Sequence, residues 1–149
     1  LVAKRWQPIY ASAPGRVTEL ETEVERGLGV GVVTSDKYFC AETGKEEYFL
    51  YRNWLFIALD VDKGEKVEIG TFLGYADSTG FSSGDHDHFE LKPVDNSGNN
   101  ILQNNGYYGA VNPIPYMFED FALKYSLLRR ILELQSRLLD LLSDKLRGK

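Results

Sequence analysis

From the start of the chain to about residue 94, short apolar runs alternate with glycine, proline or polar turn residues. Such breaks leave no room for an amphipathic helix of ordinary length, so this part is expected to fold as strands. Ile9–Ala11 and Arg16–Leu20 flank the turn signal Ala13-Pro14-Gly15, and Gly27–Val33 reads as a glycine-led strand. Tyr38–Cys40 and Glu47–Tyr51 are aromatic-rich strand candidates around Thr43-Gly44, and Trp54–Leu59 is an apolar run short enough for a buried strand. Val61–Gly70 places Gly64 and Gly70 six residues apart, with Val67 and Ile69 between charged neighbours. Phe72–Tyr75 and His86–Lys92 complete the set. Close spacing and turn punctuation predict a mostly β fold, an antiparallel sheet of barrel- or sandwich-like form.

The pattern then changes. Residues 95–116 are a polar loop followed by a linker, because Asp95–Asn100 is turn-forming and Pro113 and Pro115 block regular structure. Residues 117–149 form a leucine-rich C-terminal segment. Leu127, Ile131, Leu134, Leu138 and Leu141 recur at helical spacing, and Leu128, Leu132, Leu139, Leu142 and Leu146 widen the apolar face. This predicts an amphipathic α-helix. Its stripe must be buried on the β core, on further sequence, or on a second copy through residues 123–146.

Composition excludes some functions. The net charge of −5 gives no electrostatic reason to expect nucleic-acid binding. No apolar run is long enough for a membrane-spanning helix, and no signal peptide is visible. One cysteine, Cys40, excludes an internal disulfide. The first residue is Leu1, so a processed product or a fragment is expected.

The two histidines of the chain both lie in Asp85-His86-Asp87-His88-Phe89-Glu90. On a strand, residues i and i+2 share a face, so His86, His88 and Glu90 are expected on one side and Asp87 on the other. Two imidazoles on one face can meet a metal, or one can bind it while the other acts on a substrate. A catalytic zinc needs about three protein ligands and a water, so this strand alone is insufficient.

The context extends the pattern. Val61-Asp62-Lys63-Gly64-Glu65-Lys66-Val67-Glu68-Ile69-Gly70, then Leu73-Gly74, then Thr79-Gly80-Phe81-Ser82-Ser83-Gly84-Asp85-His86-Asp87-His88-Phe89-Glu90, resembles the signature of peptidase family M23, the LytM- and lysostaphin-like zinc endopeptidases. Pro8-Ile9-Tyr10-Ala11 with Gly15-Arg16-Val17 resembles the family's first strand, and Gly27–Val33 the next. Asn99–Gly109 with Pro113 resembles the C-terminal loop of some members, so the likeness spans roughly residues 1–116.

The resemblance implies a zinc-dependent peptidase that cuts peptide cross-links of bacterial peptidoglycan, located in the cell envelope, outside the cell or with a phage. It makes His88 a zinc ligand and His86 a catalytic residue, with Asn53, Glu90, Thr79 and Ser82 as supporting candidates. Three departures stand against activity. The family's H-x-x-x-D ligand motif is absent and would fall just upstream of Leu1. The position of a further catalytic histidine is Leu55, in Asn53-Trp54-Leu55-Phe56, and leucine can neither donate nor accept a proton. Asp87 stands where the family prefers an apolar residue, which reads as a packing change.

The expectation is therefore an M23-type domain without peptidase activity in this chain, with at most weak zinc binding through His86 and His88. The alternative is a catalytically dead domain that binds peptidoglycan or a partner. A biotinyl- or lipoyl-type carrier domain is a remote third reading. Such domains share the V-x-x-G-x-x-V-x-x-G hairpin, but no M-K-M or D-K-A lysine site is present and a carrier gives His86–Glu90 no role.

Overall fold

The structure is a computed structural model that describes residues 3–80, 84–117, 131, 134–139 and 142–143. Within these, the β fold holds eight strands: β1 (Pro8–Tyr10), β2 (Gly15–Glu21), β3 (Leu28–Thr34), β4 (Tyr38–Cys40), β5 (Lys45–Leu59), β6 (Lys66–Val67), β7 (Phe72–Ala76) and β8 (His88–Val94). All pairings between them are antiparallel. The sheet runs β1-β7-β5-β3-β2-β6, and β4 and β8 also pair with β5.

Strand β5 organises the rest. Its 15 residues span about 50 Å at the usual strand rise. One edge carries β3, from Val33↔Leu50 to Leu28↔Phe56. The other edge carries two strands in succession. β8 pairs along Tyr48 to Trp54, and β7 along Phe56 to Leu59. Sequence reading gives two strand candidates here, Glu47–Tyr51 and Trp54–Leu59. Arg52 and Asn53 between them are met by Glu19, Glu90 and Asp87, and the backbone runs on as one strand.

Alternation along the strands sorts the core. Val17, Val30, Val32, Tyr51, Phe56, Val67 and Leu73 are buried. Tyr51 stacks on Phe89 with ring centroids 6.4 Å apart, and its hydroxyl donates to the Ala13 carbonyl at 2.7 Å. The outer edge of β8 is covered by the polar loop. Val111 N–H donates to Leu91, Ile101 N–H donates to Pro93, and Val94 bridges Asn100. That cover hides backbone groups that would otherwise template a foreign strand.

The Val61–Gly70 segment is not one simple hairpin. It repeats one turn twice, on either side of β6. Asp62–Glu65 and Glu68–Thr71 are each closed by a bond from the fourth N–H to the first carbonyl, with Gly64 (φ +90°) and Gly70 (φ +82°) third. Positive φ at that position is the type II turn, which requires glycine. Gly64 N–H then binds the Val17 carbonyl and Gly70 N–H the Ala11 carbonyl, so each turn straps back onto the start of the sheet.

By contacts the chain divides into two units, Leu1–Asn112 and Pro113–Lys149. In the second, a 3-10 turn spans Ile114–Tyr116, and residues 131, 134–139 and 142–143 are helical. The rest of the predicted leucine-rich helix lies outside the described residues. No helix among the described residues is long and apolar enough to cross a membrane.

Gly74 marks the closest approach of β7 to β5. At φ +153° it leaves no space for a side chain, since a Cβ would run into the Ala58 carbonyl oxygen and the Phe56 ring. Gly74→Ala is expected to destabilise the domain by about 1–3 kcal/mol. Urea unfolding checks this, as a lowered midpoint at unchanged slope.

Candidate functional site: a histidine pair beside a glycine-floored groove

Residues His86, Asp87 and His88 alternate in exposure. His86 is half-buried, Asp87 is 3% exposed and His88 is exposed. Asp87 is thus turned to the core and His88 to solvent. His86 Nδ1 lies 2.8 Å from the Gly84 carbonyl oxygen. A carbonyl only accepts, so Nδ1 is the donor in this bond.

Asp87 anchors the segment from below. Asn53 on β5 donates its Nδ2 hydrogen to Asp87 Oδ2 at 2.8 Å, and both side chains are buried. Burial raises the Asp87 carboxyl above its ordinary range, against the opposing effect of the Asn53 bond. Asn53 thus reaches the histidines through the backbone and not across the open face, where sequence reasoning places its weak donor role.

On the open face, His88 is directly opposite Trp54, and Glu90 opposite Arg52. Arg52 is the hub of a charge network. Its Nη2 donates to Glu19 Oε1 at 2.8 Å and its Nη1 to Glu90 Oε2 at 2.9 Å, while Lys92 Nζ lies 3.0 Å from Glu90 Oε1. Burial opposes ionisation of Glu90, but the bonds from Arg52 and Lys92 outweigh it and hold the carboxyl below the usual range. A carboxylate bound by two cations is poorly placed to act as a base or a metal ligand.

A groove opens on the other side of Trp54, lined by Glu19, Glu21, Gly29, Gly31 and Trp54 among others. Gly29 and Gly31 of β3 form its floor, and the Trp54 ring and the Glu19 side chain pack over them. A Cβ on Gly29 would sit 2.5 Å from the Trp54 ring, and one on Gly31 would sit 2.8 Å from Glu19 Oε2. Sequence reasoning passed over Trp54, Arg52 and this floor. The signal was present as Gly29-Val30-Gly31, two glycines at same-face spacing on a strand.

The remaining candidates fall elsewhere. The Thr79 hydroxyl donates to the Phe56 carbonyl at 2.8 Å and accepts from Leu28 N–H at 3.2 Å, so it braces β5 against β3. Ser82 lies outside the described residues. Leu55 is on β5 between Trp54 and Phe56, and its side chain lies outside them too.

A family model of peptidase family M23 matches residues 1–101. The chain belongs to peptidase family M23. Solved M23 and related structures share the fold. The catalytic domain of the antimicrobial peptidase lysostaphin from Staphylococcus simulans is 21% identical, over 77% of this chain and 73% of that one, with a TM-score of 0.57. A catalytic-domain mutant of EnpA, a prophage-encoded M23 protein from Enterococcus faecalis, is 23% identical over 75% and 71%, with a TM-score of 0.54. A zinc-containing peptidase from Vibrio cholerae is 23% identical over 62% and 26%, with a TM-score of 0.50. No curated protein matches the chain in sequence.

Zinc is the metal of the family. Among the described residues no group of three His, Cys, Asp or Glu side chains is placed to hold an ion. Around His88, Asp87 turns to the core and Glu90 is bound by Arg52 and Lys92. The described residues therefore do not fit a catalytic zinc site.

Replacing Arg52 leaves two carboxylates without their shared cation. Arg52→Met is expected to cost about 1–3 kcal/mol at neutral pH. Because Glu90 has a depressed folded-state pKa, the stability it draws from Arg52 is present above its unfolded value and lost as pH falls through the folded one. The gap between wild type and variant should narrow below about pH 4, as read by urea unfolding across that range.

Proposed function

We propose that this M23 domain binds the peptide portion of bacterial cell-wall peptidoglycan in the groove beside Trp54, and that this chain does not cut it. The proposed setting is the cell envelope, the extracellular space or a phage particle. Family membership and the fold shared with lysostaphin and EnpA support the substrate class. The observation that carries the second half is the chemistry around His88. The chain has two histidines, and the neighbouring stretch of β5 from Trp54 to Leu59 contains no ionisable side chain. Whichever of these residues faces the imidazoles, none can move a proton.

A binding role uses what is there. An extended peptide needs a shallow trench with an aromatic wall, which the groove beside Trp54 offers. His86 and His88 give a divalent cation two imidazoles, enough for weak binding. One observation favours the second reading, a zinc endopeptidase completed by donors outside the described residues: the two histidines keep the family's spacing, with His88 exposed at the start of β8.

Purified chain is expected to sediment with insoluble cell walls and to leave no clearing in a cell-wall zymogram, with or without added zinc. Trp54→Ala should weaken binding of a soluble stem peptide by about tenfold. Clearing that depends on His88 would establish the endopeptidase instead.

A further inference from the structure

Four aromatic rings form a continuous ladder across β7, β1 and the turn before β1. Trp6 meets Tyr75 edge-to-face at 5.8 Å between centroids, Tyr75 meets Phe72 at 4.9 Å, and Phe72 meets Tyr10 at 5.9 Å. Three of them are well exposed: Trp6 at 58%, Tyr10 at 53% and Tyr75 at 38%. The core does not explain so much aromatic surface turned to water, and contiguous patches of this kind mark contact surfaces.

The ladder is held in place. Trp6 adopts φ +65°, a left-handed conformation rare for a bulky residue. Its turn is pinned on both sides. Arg5 Nε binds the buried Asp77 carboxylate at 2.6 Å, Trp6 N–H donates to the Ala76 carbonyl, and Ala76 N–H donates to the Gln7 carbonyl. The backbone is fixed in an unfavourable form and the outcome is an indole displayed to solvent.

The chemistry of the rings selects a ligand class. No member of the ladder is charged, so an anionic partner gains no ion pair from it. A purely hydrocarbon partner would suit leucine and isoleucine. Trp and Tyr offer broad π faces with an N–H or O–H at the rim. That combination matches a pyranose ring, which has C–H faces and hydroxyl edges. Position points the same way. On β5, Trp54 is opposite His88 and, four residues on, Ala58 is opposite Tyr75. The ladder thus begins about 13 Å along the strand from the proposed peptide groove.

We propose that Trp6, Tyr10, Phe72 and Tyr75 form a stacking platform for a polysaccharide strand of amino sugars, the part of a cell-wall polymer to which its peptides are attached. The inference takes the polymer's identity from the proposed function but rests on a different surface. Peptide and sugar can therefore be tested apart.

Soluble β-1,4-linked N-acetylglucosamine oligomers, tetramer to hexamer, should bind the full chain saturably, read by tryptophan fluorescence and calorimetry. The double variant Trp6→Ala with Tyr10→Ala should weaken this by about tenfold or more. Trp6→Tyr, which keeps a ring, should retain most of it. Circular dichroism and stem-peptide binding should be unchanged in both variants. Absence of saturable sugar binding, or equal binding by the double variant, overturns the proposal. So does concentration-dependent sedimentation that the double variant abolishes, because the platform is then an interface between copies. Loss of stem-peptide binding with sugar binding intact would sink the peptide groove and leave the platform standing.

Discussion

Two adjacent polar residues in the middle of the longest strand decide whether this domain can exist as one sheet. Arg52 and Asn53 point to opposite faces of β5, and each is met by a carboxylate presented by another part of the chain. Asn53 binds Asp87 in the core, while Arg52 joins Glu19 of β2 to Glu90 of β8 on the open face. A buried amide or a half-buried guanidinium without such partners would cost more than the strand pairing returns. With them, the same residues fix register, because a one-residue slip would turn both to the wrong face.

That arrangement joins stability to the site. The residues that clamp β8 onto β5 are the neighbours of the two histidines, so positioning of the imidazoles comes as a by-product of holding the sheet together. It also limits the chemistry. Glu90 shares a face with His88 yet is bound to Arg52 and Lys92, and Asp87 sits between the histidines yet is buried. Carboxylates that sequence proximity offers to a metal are taken up by structure. What remains beside them is the groove lined by Trp54, Glu19 and Glu21.

Much of the fold was legible in the residues. Turn glycines and short apolar runs marked the strands, and alternation along His86–His88 put Asp87 in the core. The Val61–Gly70 pattern was visible, although its form as two type II turns depends on bonds to Val17 and Ala11 that no local spacing reveals. Other features were illegible for a physical reason. The continuity of β5 through Arg52-Asn53 was hidden because their partners lie more than thirty residues away. Thr79 stood as a supporting candidate because a hydroxyl gives no sign in sequence of which backbone it will brace. The aromatic ladder draws on residues from Trp6 to Tyr75, and only the pairing of β1 with β7 brings them together.

β8 and β7 attach one after the other to a single edge of β5 and share no pairing among the described residues. The strand with the histidine and the strand with two of the aromatic rings are thus two leaves hung from one rail. Each pairs with its own stretch of the rail, so the order in the one stretch does not depend on backbone pairing with the other.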